Sequence, residues 1–174
     1  MQIIHDIWGA AHTAAALVAL ITGAFVLIRP KADGQHKLTG YTYFASFWVL
    51  ILAGLPMASD GITIFHWLSG VSAVTLLAGL SLILRARRER DPAKRAGLVF
   101  GHYKFMAWSY VGLVAAGVAQ VSSRLAVALG GMSIFWWAVA LASFSAAAFG
   151  AIWIAREDRG VIRRYARALD AKPS

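Results

Sequence analysis

The sequence predicts an all-α, polytopic membrane bundle of five transmembrane helices, and three observations carry that reading. Hydrophobic residues make up 59% of the 174-residue chain and charged residues only 14%, a composition that leaves little to solvate a water-facing surface. The charges gather in short clusters, and the apolar stretches between them are each about 20 residues or longer, the length a helix needs to cross a bilayer core. Third, the net charge of +9 is concentrated in alternate loops, as expected for a chain that crosses the membrane repeatedly. A single transmembrane domain over residues 1–155 and a basic tail over 156–174 account for the whole sequence.

Helix 1 is expected over about 9–28 and is stopped by Arg29-Pro30, because proline disfavours a helical residue before it and arginine seeks the interface. Its start holds Asp6 and no Lys or Arg, unlike a secretory leader, so it reads as a retained helix. Helix 2 follows a polar link, over about 38–58, with Tyr41 and Tyr43 expected as interfacial aromatics at its mouth and Pro56 bending its far end. The tight link Ser59-Asp60-Gly61 makes helix 3, about 62–84, an antiparallel neighbour of helix 2.

A basic segment from Arg85 to Arg95 is expected as a solvated loop, long enough to leave the packing of helix 4, about 98–121, open. A turn is expected through Ser122-Ser123-Arg124. The 31-residue apolar run 125–155 then exceeds one span, so it divides into an interfacial lead-in, a break at Gly130-Gly131, and helix 5 over about 132–155. In the tail, Val161, Ile162, Tyr165 and Leu169 alternate at helical spacing with Arg159, Arg163, Arg164 and Arg167, the pattern of an amphipathic helix on a membrane surface.

Charge also predicts orientation. With the N-terminus outside and the C-terminus cytoplasmic, the inner side holds sixteen of the seventeen Lys and Arg residues and the outer side only Arg124. The expected location is the bacterial inner membrane, in contact with the lipid bilayer. Nucleic acid is an improbable partner, since the basic clusters are juxtamembrane. The absence of cysteine removes thiolate metal sites, disulfides and cysteine nucleophiles. No phosphate-binding loop, nucleophile–base pair or HExxH motif is present, so the sequence nominates no catalytic residue.

Histidine is the residue that asks for an explanation. His12, His36, His66 and His102 each stand near the N-terminal end of an apolar segment. At about 1.5 Å rise per residue, His12 lies about 25 Å from Arg29 and His66 about 28 Å from Arg85, which puts both near the outer boundary. His36 and His102 stand at the inner one. Two layers result, His12 with His66 and His36 with His102, each drawn from alternate helices. Two imidazoles facing across a bundle core are what a b-type haem needs for axial ligation.

The plainer reading treats each histidine as a boundary residue. Against it, a helix N-terminus disfavours the imidazolium, and the neutral ring is the form that binds metal. Lys37 and Lys104 follow the inner histidines and are candidates for haem propionates, although a snorkelling lysine is the ordinary occupant of a helix mouth. His5 falls on the same face as His12. A weak repeat relates His36-Lys-Leu-Thr-Gly40 to His66-Trp-Leu-Ser-Gly70, whose small residues would permit close helix approach or leave room for a flat ring.

The expected function is haem b binding at one or two bis-histidine sites with electron transfer through the membrane. Any enzymatic role would be that of a membrane oxidoreductase, with a membrane redox partner or respiratory complex. The alternative is a non-enzymatic assembly or scaffold subunit of such a complex, packing through small-residue faces such as Gly70, Ala73, Gly79, Gly112 and Ala116. Self-association as a homodimer is a further partner expectation.

Two stretches carry a family resemblance: Lys31 through Phe44, with the pattern Lys-x4-His-[Arg/Lys]-x2-Gly-x2-Tyr, and His102 through Tyr110, with His-x3-Met-x2-Ser-Tyr. They resemble the signatures of a family of small bacterial integral-membrane proteins catalogued as predicted membrane proteins of unknown function. The resemblance spans roughly residues 10 to 120. The chain departs in having Asp33-Gly34 in the loop and Lys37 where arginine is usual. A helical membrane fold is what the resemblance implies. The likeness of the two histidine layers to transmembrane dihaem b-type cytochromes is one of architecture only.

Overall fold

A computed structural model describes residues 7–28, 34–57, 64–130 and 132–170, with side-chain surroundings given up to residue 158 apart from 64, 65 and 133. His5, Asp6, Asp60 and the side chains of the basic tail lie outside the described residues. Five α-helices follow in order: α1 (Ile7–Ile28), α2 (Gly34–Gly54), α3 (Ile64–Arg88), α4 (Pro92–Gly130) and α5 (Phe135–Asp170). Each contains a segment long and apolar enough to cross a membrane. The chain divides into two compact units, residues 1–114 and residues 115–174.

In the first unit α1 packs on α2 through small residues. Ala15, Ala19 and Gly23 recur every four positions and are buried, Ala19 completely, so the α1 backbone comes close to its neighbour. Without a hydrophobic drive between helices in lipid, such close backbone approach is a main source of cohesion. The core they face is built from Tyr43, Phe47, Leu50 and Ile51 of α2, Leu76 of α3 and Leu113 of α4. Gly23 is required by this packing: a Cβ there would collide with the Tyr110 ring and lie 2.9 Å from Tyr43 Cε2. Tyr43 is therefore not interfacial. It is only 2% exposed, whereas Tyr41, two residues earlier and on the opposite side of the helix, is 55% exposed.

The end of α2 follows from Pro56. Its missing N–H and its ring cannot continue the helix, and the chain tightens into a 3-10 turn over Leu55–Met57. Between α3 and α4 the expected long loop shrinks to residues 89–91, because both helices run well past their apolar spans. Asp91 explains the restart. Its Oδ1 accepts the Ala93 N–H at 2.9 Å, and Pro92 follows at the first helical position, the usual chemistry of a helix start. With so short a link, α3 and α4 are antiparallel neighbours, and Leu82 lies against Gly101.

The Ser122-Ser123-Arg124 turn is also replaced by helix. Ser122 Oγ donates to Val118 O at 2.7 Å and Ser123 Oγ to Gln120 O at 3.2 Å, so both hydroxyls bond within their own helix instead of ending it. Nothing in 118–129 is Gly or Pro, and α4 runs unbroken for 39 residues, about 58 Å at 1.5 Å per residue, before Gly130 ends it. In the second unit a 3-10 turn, Met132–Ile134, precedes α5. That helix runs from its apolar span into the basic tail as far as Asp170. Among the described residues of this unit, Ala119 and Ser123 of α4 and Gly150 and Ile154 of α5 are buried, while Trp137, Leu141, Phe144 and Phe149 stand exposed, as lipid-facing side chains do.

Candidate functional site

His12 and His102 are each held by the main chain of a neighbouring helix. His12, half-buried in the second turn of α1, places Nδ1 3.0 Å from Leu50 O of α2. His102, half-buried on α4, places Nδ1 2.7 Å from Gly79 O of α3. A carbonyl oxygen only accepts, so in each case Nδ1 carries the proton and donates. In the neutral ring Nε2 then holds the lone pair. A metal-binding imidazole is commonly oriented in this way, its second nitrogen donating to a carboxylate or carbonyl.

Glycine makes both contacts accessible. A Cβ on Gly54, one turn beyond Leu50, would lie 3.2 Å from His12 Nδ1, so the ring sits over bare backbone. On α3, a Cβ on Gly79 would lie 2.8 Å from Met106 Sδ, so this glycine accepts His102 through its oxygen and Met106 through its missing side chain. The glycines of the proposed repeat behave differently. Gly40 and Gly70 have open space where a Cβ would stand, as does Gly112, and so do not mark close helix approach.

His36 and His66 are half-buried, near the starts of α2 and α3. Lys37 is exposed, and Lys104 Nζ stands 5.6 Å from the centroid of the Phe100 ring on its own helix. Among the described residues no three His, Asp or Glu side chains converge. A metal held by these histidines would have to bring further ligands with it, as a macrocycle does. Two surface grooves, of about 350 and 410 Å³, lie along α1 and α2; both are lined by apolar and small polar residues and by no histidine.

Sequence reasoning missed a polar cluster inside the first unit. Ser109 Oγ donates its one proton to Met106 O at 2.8 Å, which makes it the acceptor for the Tyr43 hydroxyl, also 2.8 Å away. Tyr110 OH donates to Leu20 O of α1 at 3.2 Å, and its ring stands 6.4 Å from that of Tyr43. Tyr43 closes the first signature stretch, while His102, Met106, Ser109 and Tyr110 are the fixed positions of the second. The two stretches thus meet in the core, a link that hydropathy alone hides.

No curated protein and no solved structure matches the chain. A family profile matches residues 9–156, beyond the two signature stretches and through the apolar part of α5. With five membrane-length helices and a match over most of its length, the chain belongs to the family described as Predicted membrane protein (DUF2306).

Proposed function

We propose that the first unit binds b-type haem through its histidines and passes electrons through the membrane. His12 with His66 would hold one haem and His36 with His102 another, with Lys37 and Lys104 placed for the propionates. The observation that supports this reading is the pair of Nδ1–H to carbonyl bonds at His12 and His102. They select the tautomer whose Nε2 can ligate iron, and they do so once in each proposed layer. Bound haem would supply one-electron chemistry. The chain's part is to fix the imidazoles and exclude water.

The orientation that goes with this reading has the N-terminus outside and the basic segments cytoplasmic, in a bacterial inner membrane, since sixteen of seventeen Lys and Arg residues then fall inside. The redox partner would be another membrane protein. A reduced-minus-oxidised absorption spectrum of protein purified after expression with ample haem tests the proposal. A low-spin b-type band, halved or lost in His102→Ala, is the expected result. Well-folded, haem-supplied protein with a flat spectrum refutes it.

A second reading, an assembly subunit of a membrane complex, draws on the same two bonds. Each locks one helix to the next, and interhelical polar bonds of this kind hold bundles together without any cofactor. That reading expects no spectral band, co-purification with a larger complex, and a lowered unfolding midpoint in His12→Ala and His102→Ala.

A further inference from the structure

We propose that Lys37, Tyr41 and Arg87 form a headgroup site for an anionic phospholipid of the surrounding leaflet. Arg87 of α3 and Tyr41 of α2 meet at one end of the first unit, and Lys37 stands one helical turn from Tyr41 on α2. Arg87, in the last turn of α3, donates from Nη2 to the Tyr41 hydroxyl of α2 at 3.4 Å. Lys37 stands one turn before Tyr41 on the same face of α2, the i,i+4 relation that brings side chains together. All three are exposed.

The donor arithmetic suits a phosphate. Tyr41 accepts from Arg87 and so keeps its own O–H to donate. Arg87 keeps its remaining N–H groups, and the Lys37 ammonium adds three more. Among the described residues, the two carboxylates that follow Arg87 in sequence are engaged elsewhere. Glu89 Oε1 accepts the Asp91 N–H at 3.0 Å, and Asp91 Oδ1 accepts the Ala93 N–H, so the acids of this basic segment serve the start of α4. Ala86, beside Arg87, is only 1% exposed, which anchors the end of α3 and gives the guanidinium a fixed base. Leu38, next to Lys37, is exposed and apolar, as a residue facing acyl chains would be.

Charge complementarity selects the occupant. Basic residues at a helix mouth attract anionic lipid, and the attraction decays within a Debye length. A phosphodiester carried on two acyl chains meets both the donors and the apolar flank, whereas a soluble anion meets only the first. Lys37 is claimed by both readings, whereas Tyr41 and Arg87 belong to the lipid site alone, so the single variant Arg87→Gln tests the site apart from the haem reading.

The test uses full-length protein in phosphatidylcholine vesicles containing spin-labelled phosphatidylglycerol or spin-labelled phosphatidylcholine, with the motionally restricted fraction read by electron paramagnetic resonance at fixed ionic strength. Wild type is expected to prefer phosphatidylglycerol, and the double variant Lys37→Gln/Arg87→Gln to lose that preference by about five-fold for each cation removed. Lys94→Gln/Arg95→Gln removes the same charge from α4 and is expected to keep most of the preference. Equal losses in the two double variants would mean diffuse charge attraction and would overturn the site, as would equal restriction of both labels in wild type. Release of the label by millimolar inorganic phosphate, without release by equal ionic strength of chloride, would overturn the lipid assignment in favour of a soluble anion.

Discussion

The Tyr43–Ser109 pair yields a prediction with a sign as well as a size. Both side chains are buried, 2% and 4% exposed, and their oxygens lie 2.8 Å apart. Because the Ser109 proton is committed to Met106 O, Tyr43 is the donor. Removing the donor with Tyr43→Phe leaves Ser109 still bonded to its own helix and forfeits one hydrogen bond, about 1 kcal/mol. Removing the acceptor with Ser109→Ala strands a phenolic O–H in an apolar interior, which costs about 1–3 kcal/mol. The serine variant should therefore be the less stable one, although each variant loses a single hydroxyl from the contact. Together the two changes should cost less than their sum, with a coupling of about 0.6 to 1.7 kcal/mol, the range for buried polar pairs in membrane bundles. Reversible unfolding in mixed micelles, titrated with a denaturing detergent and followed by tryptophan fluorescence, measures all four corners of the cycle. Zero coupling, or a phenylalanine variant as unstable as the alanine one, would refute the donor assignment.

Two further outcomes follow from local geometry. Gly23→Ala drives a methyl group into the Tyr110 and Tyr43 rings and should lower stability by about 1–3 kcal/mol, whereas Gly40→Ala, which meets open space in mid-helix, should raise it by about 0.5–1 kcal/mol; thermal melts in detergent compare the two. Asp91→Ala removes the cap of α4 at a cost of about 1 kcal/mol, and should appear as faster hydrogen exchange at the amides of Ala93 and Lys94 while the protection of the α4 interior is kept.

The five helices were legible in the sequence because length and apolarity decide a span regardless of what packs against it. Their ends were less so. The sequence pattern ended helix 3 at Leu84 since arginines follow, but Arg85, Arg87 and Arg88 are good helix formers, and only the Asp91-Pro92 cap breaks the rod. The serines at 122 and 123 read as a turn because hydroxyls compete for backbone groups; within a helix they satisfy that tendency one turn back instead. Tyr43 was misplaced because depth along a helix does not tell which way a residue faces. Its burial depends on Gly23 of another helix, and no local pattern encodes that pairing. Of the candidate site, the histidines were legible as residue types at telling depths. Their acceptors were not, since a carbonyl belongs to every residue.

That last point bears on how this protein can vary. Both imidazoles are held by main-chain oxygens, at Leu50 and Gly79. No side-chain replacement at those two positions deletes the acceptor, so drift there would leave the bond in place so long as the backbone keeps its path. The constraint falls wholly on the histidines and, through bulk alone, on Gly54 and Gly79. Paired substitutions between relatives would therefore be blind to these two contacts, and a survey of coupled positions would miss the ties of His12 and His102 to the helices beside them.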